Sequence, residues 1–411
     1  MSELIQIAEP HRKEWPEVGL DVTRLHAEGW RPLPFSQFVV KIHERCNLAC
    51  TYCYMYEMAD QSWRGRPMTM ADETVEALAR RISEHVDAHD LPAIDILLHG
   101  GEPLMAGPDM IDRFVRTVRG AVAGGVDVRF TVQTNGLLLD EPMLDMLLAH
   151  RVRVGVSLDG GMEANDRSRK YRNGRGSYSN VARAVELLRS DRYRPSFGGI
   201  LCTIDLRNDP VECYEALAEF SPPTIDFLLP HGNWTTPPPA QDGSGLTPYA
   251  DWLIQLYEHW RGSSQKTKIR FFQNIFRLLL GGPSTLESIG LLPVRIIVVD
   301  TDGSLQQGDS LKSAFSGAPE TGLNVFEHNF DTALTHPAVI ARQIGVSALS
   351  ATCQECTIRD ICGGGFYTHR YRSGSGFLNP SVYCGDLLRL ITHIRQDMRR
   401  ELLADSAASD A

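Results

Sequence analysis

The sequence predicts an α/β fold, an open partial (β/α)6 barrel, and two observations support this prediction. From about residue 36 to 230, short apolar runs alternate with longer amphipathic ones, which is typical of parallel strands joined by right-handed helical crossovers. A group of three cysteines directly follows the first apolar run. This position is the carboxyl end of the first strand, the edge at which barrel enzymes carry their chemistry.

The predicted elements follow one another along the chain. The six strands are predicted at 38–42, 94–100, 128–134, 152–158, 197–204 and 224–230. The helices between them are predicted near 71–89, 108–123, 142–150, 178–190 and 210–220. After the Pro/Gly-rich stretch 235–248, the pattern predicts helices near 249–261 and 270–280, a β-hairpin over 294–307 with its turn at Asp302 and Gly303, and a closing helix over 385–404.

These elements divide the chain into four predicted regions. They are an N-terminal extension (1–35), the barrel (36–234), a linker with bridging helices (235–284) and a cysteine-containing C-terminal domain with the closing helix (285–411).

Composition excludes several classes of function. The formal net charge of −10 argues against a general nucleic-acid binder, which usually has a basic face. No apolar run is long enough to span a membrane, and the N-terminus lacks the pattern of a secretory signal. We therefore expect a cytoplasmic protein without a membrane or nucleic-acid partner, in which nine cysteines favour metal ligation over disulfides.

The first cysteine group is Cys46, Cys50 and Cys53, with the spacing Cys-x3-Cys-x2-Cys. Three thiolates can hold three irons of a cubane iron–sulfur cluster and leave the fourth iron open for chemistry. A zinc site with His43 as the fourth ligand is the alternative, although zinc sites normally show four Cys or His ligands in paired spacings.

This triplet, with Tyr52 before its last cysteine, resembles the signature of the radical S-adenosylmethionine (SAM) enzymes. The resemblance implies that the open iron binds SAM and that the reduced cluster cleaves SAM to a 5′-deoxyadenosyl radical, which removes a hydrogen from the substrate. It also implies a SAM site. The predicted contacts lie in the cysteine loop, in the HGGEP motif after the second strand and further along the barrel. They are Tyr52, Gly100, Gly101, Glu102, Pro103, Gln133, Ser157, Arg169 and Leu201. Within this set Glu102 would accept from the amino group, Ser157 and Arg169 would bind the carboxylate, and Arg167 is the rival of Arg169.

A second cysteine group consists of Cys353, Cys356, Cys362 and Cys384. Four thiolates can close a structural iron–sulfur cluster, and a structural zinc site is the alternative. Together with the first triplet, the run resembles the C-terminal SPASM domain of radical SAM peptide maturases. The predicted cofactors are therefore SAM and two 4Fe–4S clusters, one that binds SAM and one auxiliary.

The chain departs from the usual SPASM pattern, which would hold two auxiliary clusters. Gly308 and Phe366 stand where cysteines would be expected, and no cysteine occurs between Cys213 and Cys353. The first auxiliary cluster therefore cannot be built in the usual way. In related sulfatase maturases an Asp after the lost cysteine serves as a base. We therefore predict Asp309 as a catalytic proton acceptor, with an ordinary turn aspartate as the alternative.

Several C-terminal strings, among them TGLNVFEHNFD (321–331) and CGGGFYTHRYRSGSGFLNPSVYC (362–384), resemble the Fxs-type radical SAM/SPASM maturases. That resemblance implies an enzyme acting on a ribosomally made precursor peptide. It would join an aromatic ring carbon to the Cβ of a nearby residue (a cyclophane), with a flavodoxin or ferredoxin as electron donor. The alternatives are another radical modification (thioether crosslinking, epimerisation or sulfatase maturation) and a non-catalytic, metal-stabilised peptide-binding protein.

Overall fold

A computed structural model describes residues 13–241, 243–264 and 267–409. Its centre is one ten-stranded sheet with the strand order β10-β9-β8-β1-β2-β3-β4-β5-β6-β7. The strands are β1 Gln37–His43, β2 Ala93–Gly100, β3 Asp127–Thr134, β4 Val152–Ser157, β5 Phe197–Thr203, β6 Thr224–Leu228, β7 Lys268–Ile269, β8 Ile296–Val299, β9 Ser304–Gln306 and β10 Glu320–Asn324.

The helices cover the outer face of the sheet and form most of the C-terminal part. They are α1 Val22–Ala27, α2 Asp72–Ala88, α3 Pro108–Ala121, α4 Glu141–Ala149, α5 Met162–Ser168, α6 Tyr178–Leu188, α7 Pro210–Ala218, α8 Pro248–Gly262, α9 Arg270–Leu279, α10 Phe330–Leu334, α11 Pro337–Ala341, α12 Ala351–Gln354, α13 Arg359–Cys362 and α14 Cys384–Ser409. Neighbouring strands from β1 to β7 pair in parallel. The predicted parallel α/β fold is therefore confirmed.

Strand β2 shows how the sequence positions the site. Ile94, Ile96 and Leu98 are buried in the hydrophobic core, whereas the alternate residues Leu97 and His99 line the cavity inside the barrel. Because side chains of a strand point to opposite faces in turn, the strand contributes to both core and site. Its carboxyl end therefore delivers His99 and the following glycines to the cavity.

The predicted hairpin is confirmed as β8 and β9, which pair antiparallel. Gly303 has φ +82°, a conformation that glycine adopts without steric cost. Strand β8 also pairs in parallel with β1. The hairpin therefore extends the barrel sheet and brings the residues after it, including Asp309, to the first strand. The predicted domain boundaries stay a prediction.

Buried ion pairs and hydrogen bonds join the C-terminal part to the rest. Lys312 is fully buried, and its Nζ lies 2.7 Å from Asp60 Oδ2. Near the N-terminus, Leu33 donates its N–H to Gln343 Oε1 at 2.8 Å. Among the residues described, no helix is both long enough and apolar enough to cross a membrane.

Candidate active site

The first three cysteines lie together at the carboxyl edge of the barrel. Cys46, Cys50 and Cys53 line one cavity of about 540 Å³. A backbone turn closes the loop, since Cys53 donates its N–H to the carbonyl of Cys50 at 3.1 Å. Ala49 donates to the carbonyl of Lys170 at 2.8 Å, which fastens the loop to the segment after α5.

This thiol group fits a soft metal centre. Burial raises the pKa of Cys46 to about 11 and that of Cys53 to about 12, so the thiolates require a bound cation to be stable there. The imidazole of His43 instead contacts the carbonyl oxygen of Arg45 at 3.0 Å and does not line the cavity. The arrangement could therefore hold a metal cluster with three thiolates, and it does not support the zinc alternative with His43.

The HGGEP motif packs tightly against the cysteine loop. A Cβ at Gly101 would lie 1.9 Å from the Tyr56 hydroxyl oxygen, and one at Gly100 would lie 2.2 Å from the carbonyl oxygen of His43. Any other residue at either position would force these two loops apart. The glycines therefore allow the motif to reach the cavity, which both of them line.

The structure brings most of the other predicted SAM contacts to the same cavity. Those that line it are Tyr52, Gln133, Ser157, Arg169 and Leu201. Gln133 donates from Nε2 to Ser157 Oγ at 2.9 Å, and Arg169 donates to the Tyr52 hydroxyl at 2.9 Å. The rival Arg167 points elsewhere, because its guanidinium donates to Asn208 Oδ1 at 2.5 Å.

Glu102 and Pro103 are placed differently from the other predicted contacts. Neither lines the cavity. The Glu102 carboxylate accepts hydrogen bonds from Leu104 N at 3.0 Å, Thr134 Oγ1 at 2.7 Å and Asn135 N at 2.7 Å. Its oxygens thus tie the motif to β3, and its predicted role as an acceptor for SAM stays a prediction.

Two polar residues of the site were not predicted. Asp159 accepts a hydrogen bond from the Tyr52 hydroxyl and another from Thr203 N at 2.9 Å. Asn135 donates to Asn47 Oδ1 at 2.7 Å and lies 3.6 Å from Cys46 Sγ. Both follow the last residue of a parallel strand, so strand-end position was the signal that could have identified them.

Asp309 enters the barrel from the segment after β9. Its carboxylate lies 2.8 Å from Lys41 Nζ and 3.2 Å from His99 Nδ1. Both contacts are ion pairs, one at each carboxylate oxygen. Although burial opposes ionisation, Lys41 and His99 hold the pKa of Asp309 well below its usual range. Asp309 is therefore an ionised carboxylate, and the same two partners make it a weaker base than an ordinary aspartate.

The second cysteine group also assembles in space. Cys353, Cys356, Cys362 and Cys384 line one small cavity between α12, α13 and the start of α14. Burial raises the pKa of Cys362 to about 12, so this group too needs a cation to be held as thiolates. Four sulfurs fit either an iron–sulfur cluster or zinc.

The remaining two cysteines belong to neither group. Cys202 and Cys213 are buried, and their sulfur atoms lie 3.7 Å apart.

Comparisons with known proteins agree with this geometry. Residues 40–217 match the family model described as the radical SAM superfamily. A cysteine-type anaerobic sulfatase-maturating enzyme of Clostridium perfringens (strain 13 / Type A) is 25% identical over 361 residues, which cover 85% of this chain and 94% of that protein.

Solved structures share the fold. The structure of native anSMEcpe with bound AdoMet has a TM-score of 0.74 and 23% identity, and the match covers 90% of this chain and 99% of that one. The same protein with bound AdoMet and Cp18Cys peptide has a TM-score of 0.72 and 22% identity, with 88% and 99% covered.

The family match and the fold indicate the class of protein. Residues 40–217 match the radical SAM superfamily, and this match, together with the similarity to anaerobic sulfatase-maturating enzymes over most of the chain, indicates an enzyme. The cofactors that the family match indicates are SAM and iron–sulfur clusters.

Proposed function

We propose that this enzyme modifies a ribosomally made precursor peptide by joining an aromatic ring carbon to the Cβ of a nearby residue. The observation that carries the proposal is that two chambers of the barrel lie side by side. The chamber beside the three cysteines and the chamber that contains Asp309 share the side chains of Tyr54, Leu97, His99 and His231. A peptide in this space could contact a radical-generating centre at one end and a base at the other.

The three cysteines of the first group would hold the cluster that binds SAM, and the second group would hold the auxiliary cluster. When bound, these cofactors supply the radical that removes a hydrogen from the substrate carbon and an acceptor for the electron that the ring later releases. Gln133 would position Ser157, and Asp159 and Tyr52 would position the Arg169 guanidinium for a carboxylate.

Asp309 would take the proton that the ring loses when aromaticity is restored. Lys41, which is fully buried, lies 3.0 Å from Asp300 and 2.8 Å from Asp309. The ammonium group of Lys41 therefore pairs with two carboxylates, and this pairing favours the ionised form of Asp309 in a buried site. A base must be ionised and within reach of the proton that it accepts, and this geometry supports the first condition.

The proposal is tested by anaerobic reconstitution with iron, sulfide, SAM and dithionite. Release of 5′-deoxyadenosine is expected, and a peptide encoded beside the gene should lose two hydrogens. Fragmentation should place the new bond between an aromatic ring and a Cβ. If the protein binds iron and SAM but releases no 5′-deoxyadenosine, the proposed radical reaction is wrong.

Sulfatase maturation is the second candidate, because the relative described above bears that name. Such a reaction would leave an aldehyde on the peptide, whereas a crosslink would not. Labelling the product with a hydrazide therefore separates the two. A labelled product would support sulfatase maturation instead of the crosslink. An unlabelled product that has lost two hydrogens would support the crosslink.

A further inference from the structure

A second chamber, of about 340 Å³, shares His99 with the cavity beside the three cysteines. It lies between β1, β6, β8 and the segment 366–369, and its walls are largely apolar, with Val39, Leu97 and Val298 among them. Asp309 forms part of the same wall. The chamber is therefore large enough for a side chain and adjoins the proposed base.

Four of the rings that line this chamber contact one another, and we call them the aromatic wall: Tyr54, His231, Phe366 and His369. The ring centroids of Tyr54 and His231 are 4.6 Å apart, those of Phe366 and His369 are 5.3 Å apart, and those of His231 and His369 are 6.0 Å apart. All three pairs are edge-to-face. Such rings present both faces and edges to a further ring, which is a favourable environment for an aromatic side chain.

The aromatic wall also carries polar atoms without partners. Within the described residues, His369 Nε2 and His231 Nδ1 are buried and make no hydrogen bond. His369 is only 4% exposed. Burial lowers the pKa of both imidazoles, that of His231 to about 4, so both rings are neutral. A buried polar nitrogen normally has a hydrogen-bond partner, and these two belong to side chains that line the chamber.

Two positions noted in the sequence line the chamber, and one of them leaves space in it. Gly308 and Phe366 stand where the resemblance places cysteines, and both line the chamber. Gly308 has φ 174°, an extended conformation that other residues can adopt. A Cβ there would lie 3.2 Å from the Arg342 guanidinium, which also lines the chamber. The glycine is therefore important for the volume that it leaves open, not for its backbone conformation.

We infer that this chamber binds an aromatic side chain of the substrate peptide that carries a hydrogen-bonding group, a phenol or an indole. The ring would pack against the aromatic wall, its O–H or N–H would meet an unpartnered imidazole nitrogen, and one of its carbons would face Asp309. This inference rests on the proposed function, and it adds the substrate side chain and the residues that select it. An aliphatic side chain would leave both nitrogens unsatisfied.

The experiment measures binding of small probes to the reconstituted holoenzyme with SAM, by saturation-transfer NMR and calorimetry. The probes are p-cresol, toluene and 4-methylcyclohexanol, which have similar sizes. We expect p-cresol to bind about tenfold more tightly than 4-methylcyclohexanol, with toluene between them. Equal affinities for p-cresol and 4-methylcyclohexanol would overturn the inference.

Two variants locate the binding. Gly308→Leu fills the chamber and should abolish p-cresol binding, whereas Gly124→Leu makes the same change where no atom lies within 4 Å of a Cβ and should leave binding unchanged. Phe366→Leu removes a ring from the aromatic wall and should reduce the preference for p-cresol. Iron content and melting temperature check that each variant folds. If Gly308→Leu does not fold, Phe366→Leu still decides. Unchanged p-cresol binding in a folded Gly308→Leu protein would overturn the inference.

Probe binding needs no turnover, so this result is independent of the proposed reaction. If p-cresol binds as expected but no crosslinked peptide forms, the proposed function fails while the binding site stands. If a crosslink forms but neither variant affects p-cresol binding, the proposed function stands and the inferred binding site is wrong.

Discussion

At the scale of single residues, charge placement determines the chemistry of the cavity. Lys41 is completely buried, and its ammonium group contacts Asp300, Asp309 and Gln306. A charge in such a place is tolerated only because it is paired and hydrogen-bonded. The same pairing keeps Asp309 ionised. One lysine on β1 therefore serves both the stability of the fold and the proposed base.

Asp309→Asn should lower crosslinked product by about 100-fold or more, because the amide cannot accept the ring proton. Release of 5′-deoxyadenosine should fall much less, since that step precedes proton loss. Both products can be quantified in one assay by mass spectrometry. Asp226→Asn, another carboxylate of the same chamber, is the matched control. An Asp309→Asn enzyme that forms wild-type amounts of product would show that Asp309 is not the base.

Lys41→Met should destabilise the protein by about 3–5 kcal/mol, because it removes the buried ammonium group that pairs with both Asp300 and Asp309. Chemical denaturation measures the loss. Lys268→Met, at an exposed lysine, is the control and should change the free energy of unfolding by less than about 0.5 kcal/mol. Similar effects of the two substitutions would contradict this account of the buried network.

At the scale of elements, strands and helices with a clear period were predictable to within one or two residues. Helix α3 begins at Pro108 directly after Gly107, a usual helix start, and β2 begins one residue before its predicted start and ends at its predicted end. Strand β7 was missed because two residues cannot show a period. Helix α5 was missed because its short sequence, MEANDRS, has no apolar face.

Strand β6 also carries a pH-dependent group. Burial raises the pKa of Asp226 to about 6, although Arg270 lies 3.2 Å away and opposes the shift. Because the folded state binds this proton more tightly than the unfolded state, ionisation of Asp226 costs stability above about pH 6, and the cost disappears by about pH 4.

Asp226→Asn removes that charge and should therefore be more stable than the wild type by about 2 kcal/mol at about pH 8, with no advantage at about pH 4. Denaturation curves at several pH values measure the difference. Asp127→Asn, at an exposed aspartate, should show no such pH dependence. A constant difference across the range for Asp226→Asn would contradict the predicted pKa.

At the scale of the whole molecule, the ten-stranded sheet joins the two ends of the chain. The hairpin β8–β9 pairs with β1, so the C-terminal part completes the wall of the barrel cavity. Arg66 strengthens this junction through ion pairs with Asp302 and Glu320. The second cysteine group lies beyond it and can act on the site only through the packed structure or by electron transfer.

Cys384→Ser should lower the iron content of the reconstituted protein by about half, since each 4Fe–4S cluster accounts for about four irons. Iron, zinc and sulfide analysis measures this change. Cys213→Ser, at a buried thiol outside both groups, should leave the metal content unchanged. Stoichiometric zinc in the wild-type protein, with iron unaffected by Cys384→Ser, would assign zinc to the second group.

The parallel α/β fold and the two groups of cysteines could be predicted from the sequence, because they depend on local periodicity and on close spacing along the chain, and the class of enzyme followed from the resemblance of the motifs to a known family. Which residues meet in the site was visible only in the folded chain. It brought Arg169 rather than Arg167 to the cavity, engaged Glu102 with β3, and placed Asp309 beside Lys41 and His99. The physical reason is that such contacts join positions far apart in the sequence, and they are set by packing and by the pairing of buried charges, which no local pattern encodes.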